Sequence, residues 1–383
     1  MRARDAGRGT SAAAQRSHNQ ALFWSVVGYS VMVLGTTGAF LLIRGYGEML
    51  MAPPAAPVAS FADVTDQPAA VLLHVLVALA AVIITGQLLA KLFAYLRQPP
   101  VIGEVVAGIL LGPSLLSPEL SGWILPPAVA PFLGLIAQLG VILYMFLVGL
   151  ELNVSLLTHR VHTTVATSHA SILLPFLLGT LSAVALYPRL SNRDVPFTSF
   201  ALFIGVAMSI TAFPVLARIL TDRGMTRTEL GVVALGCAAT DDVTAWCLLA
   251  FVVGIARAQV GEGLLVTAGA LGYIAGVLLI ARPLLRHVAS RWNTEPLPRS
   301  AVAVVFVALL LSALTAEVID IHAIFGAFLL GAVIPHESTV ARTLTRQLEH
   351  LVTILLLPAF FAFTGMRMRI DLVSYHFAMK PVH

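Results

Sequence analysis

Apolar residues run along this chain in long, nearly unbroken stretches, without the alternation that marks a half-buried helix or strand of a water-soluble domain. The stretches at 22–44, 69–93, 130–151, 163–187, 198–221, 229–256, 263–281, 300–318 and 347–366 are long enough to cross a hydrocarbon layer of about 30 Å as α-helices. Two more, 100–117 and 322–335, are shorter, as expected of half-helices buried among their neighbours. The pattern predicts an all-α, polytopic membrane protein with about eleven membrane segments.

Composition supports this reading. Hydrophobic residues make up 58% of the 383 positions and charged residues only 11%, against roughly 25% charged in soluble domains. Mean hydropathy is +0.91. The net charge of +4 is distributed among short loops rather than gathered on one face, which argues against nucleic acid as a partner. If the N-terminus is cytoplasmic and the segments alternate, most of the 23 Lys and Arg residues fall on the cytoplasmic side, among them Arg97, Arg218, Arg223, Arg227, Arg282, Arg286, Arg342 and Arg346. The loop 45–68, with Glu48, Asp63 and Asp66 and no Lys or Arg, falls outside. These features predict a multi-pass protein of the cell membrane with a cytoplasmic N-terminus. Met1–Gln20 is polar and arginine-rich, and the apolar run after it is span-length, so no cleavable signal peptide is read there. Cys237 and Cys247 lie nearly three turns apart on one helix, out of disulfide reach. They read as small buried apolar residues.

The chain also resembles itself. Ala107-Gly108-Ile109-Leu110-Leu111-Gly112 is echoed by Gly326-Ala327-Phe328-Leu329-Leu330-Gly331. Phe146-Leu147-Val148-Gly149-Leu150-Glu151-Leu152 is echoed in character by Ala362-Phe363-Thr364-Gly365-Met366-Arg367-Met368. By the count of passes the two copies run in opposite directions, which predicts an inverted repeat of the kind found in secondary transporters. Three spans follow the first copy, whereas only a short polar tail follows the second. The second repeat therefore reads as incomplete.

The strongest chemical signal is Asp241-Asp242, within Thr240-Asp241-Asp242-Val243-Thr244-Ala245-Trp246 and flanked by mostly apolar residues on both sides. A carboxylate at membrane depth costs several kcal/mol unless it is neutralised or solvated. Two adjacent carboxylates repel, so the pair is expected to retain a proton near neutral pH. A group that holds either a proton or a cation is the minimum requirement for exchange. Successive helical residues point about 100° apart, so one aspartate can face an ion path while the other bonds to a neighbouring helix. A purely structural role could be filled by Asn or Ser at lower desolvation cost.

The preceding span carries Met208-Ser209-Ile210-Thr211-Ala212-Phe213-Pro214. Pro214 lacks an N–H and its ring clashes with the carbonyl of Ile210, so the helix is predicted to break near Thr211. A break at mid-membrane frees carbonyl oxygens, and with the Ser209 and Thr211 hydroxyls these supply the oxygen ligands that Na⁺ or K⁺ prefers. The expected ion and proton ligands are Asp242, Asp241, Thr211, Ser209 and Ile210, with Pro214 as the breaker and Asp242 as the transient cation ligand. The other polar positions invite plainer readings. Glu104 reads as a carboxylate at the start of a half-helix near the cytoplasmic surface, and Glu151 as an interfacial charge beside His159 and Arg160. Arg218 reads as a snorkelling side chain, His169 as a packing histidine, and Pro53–Pro57 as an external linker.

At these residues the sequence resembles the monovalent cation:proton antiporter-2 family, especially its cation/H⁺-exchanger branch. The resemblance covers about 70–370. It rests on Gln98-Pro99-Pro100-Val101-Ile102-Gly103-Glu104, Met145–Glu151, Ser209–Pro214, Thr240–Trp246 and Pro358–Met366. It implies a sodium/proton antiporter-like fold and a homodimer in which a core bundle moves against a dimerisation bundle. Asp242 would be the ion-binding aspartate, Asp241 its partner position, and the Thr211 region the first unwound helix. No cofactor is implied. The organisation it suggests is a cytoplasmic tail at 1–21, an extra span and external linker at 22–68, an exchanger-like transmembrane domain at 69–373 and a polar tail at 374–383. In the family the span holding Phe360-Phe361 is followed by a helix that often bears a basic residue facing the aspartates, and then by a second unwound helix. Neither has a counterpart here, and Lys380 in the polar tail is no substitute.

Two functional readings follow. The first is antiport of Na⁺ or K⁺ against H⁺. The alternative is a truncated, non-transporting remnant or assembly subunit of such an antiporter. An intramembrane aspartyl protease is disfavoured, because it needs two aspartates facing each other from different helices.

Overall fold

A computed structural model describes residues 3–52, 68–112, 115, 126, 129–152, 161–256, 260–292 and 297–368. Among them no β-strand occurs. The helices are α1 (Ala3–Gly47), α2 (Pro68–Tyr95), α3 (Pro100–Leu111), α4 (Ala130–Glu151), α5 (Val161–Leu190), α6 (Phe197–Ser209) and α7 (Phe213–Asp222). They continue as α8 (Glu229–Ala256), α9 (Val260–Gly276), α10 (Arg282–Arg291), α11 (Arg299–Val318), α12 (Ala323–Val333), α13 (Thr339–Leu351) and α14 (Leu357–Met366). Among the described residues nine helical runs are long and apolar enough to cross a membrane, α6 with α7 counting as one run, and α3 and α12 are shorter apolar helices.

Local chemistry sets many of these boundaries. Proline stands in the first turn or just before the start of α2, α3, α4, α6, α7 and α11, where a missing N–H costs nothing because the first turn has no helical acceptor for it. Ser338 caps α13 by accepting from the Ala341 N–H at 3.2 Å. α2, α7 and α11 end alike, on a left-handed residue: Arg97, Gly224 and Asp320, with φ of 59°, 65° and 65°. In each, the next N–H reaches back five residues, from Gln98 to Phe93, Met225 to Leu220 and Ile321 to Ala316.

Two helices run longer than their apolar stretches suggest. The span read as ending at 281 continues into α10, and the one read as starting at 347 begins at Thr339. Each is joined by a π-helical turn, Val277–Ala281 and Val352–Leu356. Each π turn ends two residues before a proline, Pro283 or Pro358. Widening the helix there relieves the clash of the ring with the preceding turn, so the polar segments stay in register with the apolar ones. At the other end of the chain, α1 begins at Ala3 and includes the segment read as a polar tail.

Contacts divide the chain into two compact units. The first holds residues 1–57, 161–210 and 248–263. In it α5 and α6 approach closely through Gly179 and Gly205, where a Cβ on Gly179 would lie 2.9 Å from the Gly205 Cα. The end of α1 is tied to the start of α6 by a hydrogen bond from Thr198 to Glu48 (2.9 Å), and Arg44 pairs with the same carboxylate at 2.7 Å. These two donors hold the Glu48 carboxyl below its ordinary titration range, Arg44 more than Thr198. His169 meets the Tyr29 ring edge-on at 5.6 Å, a packing contact.

The second unit holds residues 58–160, 211–247 and 264–383. Two glycine crossings form its centre. α4 crosses α12 with Gly149 against Gly331, and α3 crosses α14 with Gly108 against Gly365. A Cβ on Gly149 would meet the Phe328 carbonyl oxygen and sit 2.8 Å from the Ala332 nitrogen; one on Gly331 would meet the Phe146 carbonyl oxygen and sit 2.9 Å from the Leu150 nitrogen. Around the crossings pack the fully buried Phe146, Phe213, Leu309 and Phe361, with Phe213 edge-on to Phe328 at 4.8 Å.

Candidate functional site

The helical run through 197–222 is interrupted. α6 ends at Ser209, and Ile210 and Ala212 are extended, with ψ of 125° and 82°. α7 then restarts at Phe213 with Pro214 in its first turn. The last carbonyls of α6 and the first N–H groups of α7 thus lack the helical partners a continuous helix would give them. The boundary between the two compact units falls here, with Ser209 and Ile210 in the first and Thr211 in the second.

Asp241 and Asp242 lie midway along α8, twelve and thirteen residues from its start. Asp241 is 3% exposed and accepts a hydrogen bond at 3.1 Å from the Thr211 hydroxyl, in the break. Asp242, one residue on, points elsewhere. It lines a cavity of about 490 Å³ in the second unit, together with Pro214, Trp246, His322, Gln138, Thr364 and Arg367. The structure thus brings Thr211, Pro214, Asp241 and Asp242 together. The Ser209 hydroxyl donates to the carbonyl of Val206 at 2.8 Å, within its own helix, and the Ile210 side chain is exposed.

Several residues at the cavity escaped the sequence reading. His322 caps α12 with φ of 70°, accepts from the Ile324 N–H at 3.4 Å and lies 5.2 Å from the Trp246 ring. Gln138 is the one amide in α4 and the one polar residue in its first half, and that isolation was its only signal. Arg367, at the end of α14, lies 5.8 Å from the Phe363 ring.

Two plain readings need correction. Glu104 is not at a wet surface: its side chain is 1% exposed, and its Oε1 lies 3.6 Å from an Arg218 guanidinium nitrogen. Nor does Arg218 snorkel. Only 12% exposed, it is also bonded to Asp222 at 3.0 Å. The reason is that α3 and α7, about a hundred residues apart in sequence, pack together, and a carboxylate taken out of water keeps a cation beside it. The cysteines are half-buried, not buried, and form no disulfide. Glu151 is partly exposed, accepts from Thr226 at 3.3 Å and lies 3.8 Å from the exposed Arg227, as suits an interfacial charge. His159, Arg160, Asp63, Asp66, Pro53–Pro57 and the tail with Lys380 lie outside the described residues. Among the described residues no group of three or more His, Cys, Asp or Glu side chains could hold a metal ion.

A multi-pass helical membrane protein with an interrupted helix bonded to a buried aspartate belongs to the class of secondary transporters rather than of enzymes. Its family is the sodium/hydrogen exchangers: residues 64–381 match the transmembrane sodium/hydrogen exchanger family, and the chain is a member of it. It is 41% identical over 309 residues to the Na⁺/H⁺ antiporter NhaS4 of Synechocystis, covering 79% of this chain and 75% of that one. It is 38% identical over 304 residues to cation/H⁺ antiporter 20 of Arabidopsis thaliana, and 31% identical over 295 residues to K⁺/H⁺ antiporter 1 of Saccharomyces cerevisiae. These alignments cover 75% and 74% of this chain but only 36% and 34% of the plant and yeast proteins.

Proposed function

We propose that this protein exchanges a monovalent cation, Na⁺ or K⁺, for protons across the cell membrane, with Asp242 as the group that carries one or the other. The observation that carries the reading is the division of labour in the aspartate pair. Asp241 is tied to Thr211 at the helix break, while Asp242 opens on a cavity that water and ions can occupy. The names of the Synechocystis and yeast relatives, a Na⁺/H⁺ and a K⁺/H⁺ antiporter, support the reaction class and leave both cations open. The Thr211 hydroxyl and the carbonyl oxygen freed beside it add oxygen ligands of the kind a hard cation prefers.

The same reading includes eleven passes with a cytoplasmic N-terminus, an exchanger-like domain at 69–373 and a homodimer. It includes an inverted repeat as well, for which the glycine crossings argue: the short helix of each copy (α3, α12) packs on the long helix of the other (α14, α4).

Transport is tested with the full chain reconstituted in vesicles holding an acid interior and a pH-sensitive dye. Adding Na⁺ or K⁺ outside is expected to draw protons out; a gradient that survives both cations overturns the proposal.

A further inference from the structure

Away from the aspartate pair, a second set of ionisable groups gathers where α3, α4 and α7 meet, running from the buried Glu104 through Arg218 to the more exposed Asp222. Arg218 divides one guanidinium between two carboxylates: its Nε bonds Asp222 at 3.0 Å, and its Nη2 reaches Glu104 Oε1 at 3.6 Å. Glu104 is 1% exposed, and its second oxygen, Oε2, is buried with no hydrogen-bond partner. Tyr144 of α4 closes the cluster through Thr221, at 3.2 Å. Among the described residues the other faces packed on α3 bring no further charge. α3 meets α2 at Leu89 and Ala90, while Lys91 is exposed; α14 contains no titratable residue. Glu151, at the end of α4, is engaged with Thr226 and Arg227.

Asp222, at the more exposed end of the cluster, shares the guanidinium, so an ionised Glu104 would be a buried charge compensated only in part by the Arg218 contact at 3.6 Å, which is expensive. A metal ion is a poor remedy. Hard cations take six or so oxygen ligands, and Arg218 already occupies the position between the carboxylates. A proton on Glu104 removes the buried charge and so lowers the cost of leaving Oε2 without a partner.

From this geometry we infer that Glu104, Arg218 and Asp222 form a second proton-binding site, separate from Asp241–Asp242, whose proton resides on Glu104. Because Arg218 and Asp222 belong to α7, the half-helix that follows the break, loss of that proton pulls Arg218 towards α3 and away from Asp222. The site is thereby coupled to the position of α7.

Infrared difference spectra of the full chain in lipid, recorded between acid and neutral pH, test the inference without any need for transport. The parent is expected to show the C=O stretch of a buried carboxylic acid that persists in Asp242→Asn and disappears in Glu104→Gln. It should also disappear in Asp222→Asn, which frees the whole guanidinium for Glu104 and leaves Glu104 itself untouched. A band unchanged in Glu104→Gln overturns the site. A band lost in Glu104→Gln but unchanged in Asp222→Asn overturns the sharing of one guanidinium. Should the parent move no cations in vesicles, the exchange proposal falls while these bands still decide the proton site.

Discussion

Asp242→Asn is expected to abolish cation-driven proton movement while leaving the protein folded. Asn has nearly the shape of Asp and keeps a carbonyl oxygen as a ligand, but it has neither a charge to offer a cation nor a proton to exchange for one. Removing one partner of a buried charge interaction costs about 3–5 kcal/mol, and about 1.4 kcal/mol is tenfold in affinity, so exchange should fall by about a hundredfold or more. Stability should hold or rise, because a buried carboxylate is costly to keep in the absence of a cation. Asp241→Asn is a milder change, since an amide oxygen can still accept from Thr211 Oγ1 (3.1 Å from Asp241 in the parent). Vesicle assays with Na⁺ and with K⁺, beside the thermal melt of the same preparations, read both effects. A mutant at position 242 that still exchanges at the parent rate would remove Asp242 from the site.

The second large effect falls on folding. Gly331→Val should leave little folded protein, because the new side chain has nowhere to go. Its Cβ would meet the Phe146 carbonyl oxygen and press within 3.0 Å of the Gly149 Cα. Both are main-chain atoms of α4, so no rotamer change relieves them and the two helices must separate. Overpacking a core with flexible neighbours costs about 1–3 kcal/mol; here the cost should lie at or beyond the top of that range. Gly272→Ala is the control. No atom lies within 4 Å of its added Cβ, and replacing a helical glycine by alanine adds roughly 0.5–1 kcal/mol. Melting curves of the detergent-solubilised variants should separate widely, with Gly331→Val far below the parent and Gly272→Ala at or above it. Coincident melts would mean that the Gly149–Gly331 crossing does not hold this unit together.

How much of this could be read in advance depended on range. The membrane class was plain, because a 20-residue apolar run has few other uses. The break at 210–212 was also readable, since Pro214 acts on its own preceding turn and needs no distant partner. The aspartates stood out because adjacent acids in an apolar stretch have no cheap structural explanation. The errors concern contacts between segments far apart in sequence. Glu104, at the front of a short helix, carries no mark of the Arg218 that reaches it from α7, so it was read only as a helix-entry carboxylate near the cytoplasmic surface. His322 opens the short segment 322–335 and drew no functional reading, because its contact with Trp246 depends on where α8 lies. Cys237 and Cys247 were put in the core on residue type alone. The π turns were hidden for another reason. A proline just past an apolar run, as Pro283 is, reads as the end of a helix, and only the backbone shows that a widened turn before it lets the helix continue.

The central claim is that a single carboxylate, Asp242, holds a proton or a cation but not both. Proton release on cation binding measures that directly, because a ligand that must be deprotonated to bind a metal gives up its proton when it does. Na⁺ or K⁺ added to the lipid-reconstituted chain in weakly buffered solution, with a pH indicator present, should release about one proton per chain from the parent and none from Asp242→Asn. Release of the same size from both would show that the exchanged proton resides elsewhere, and the account of this site would be wrong.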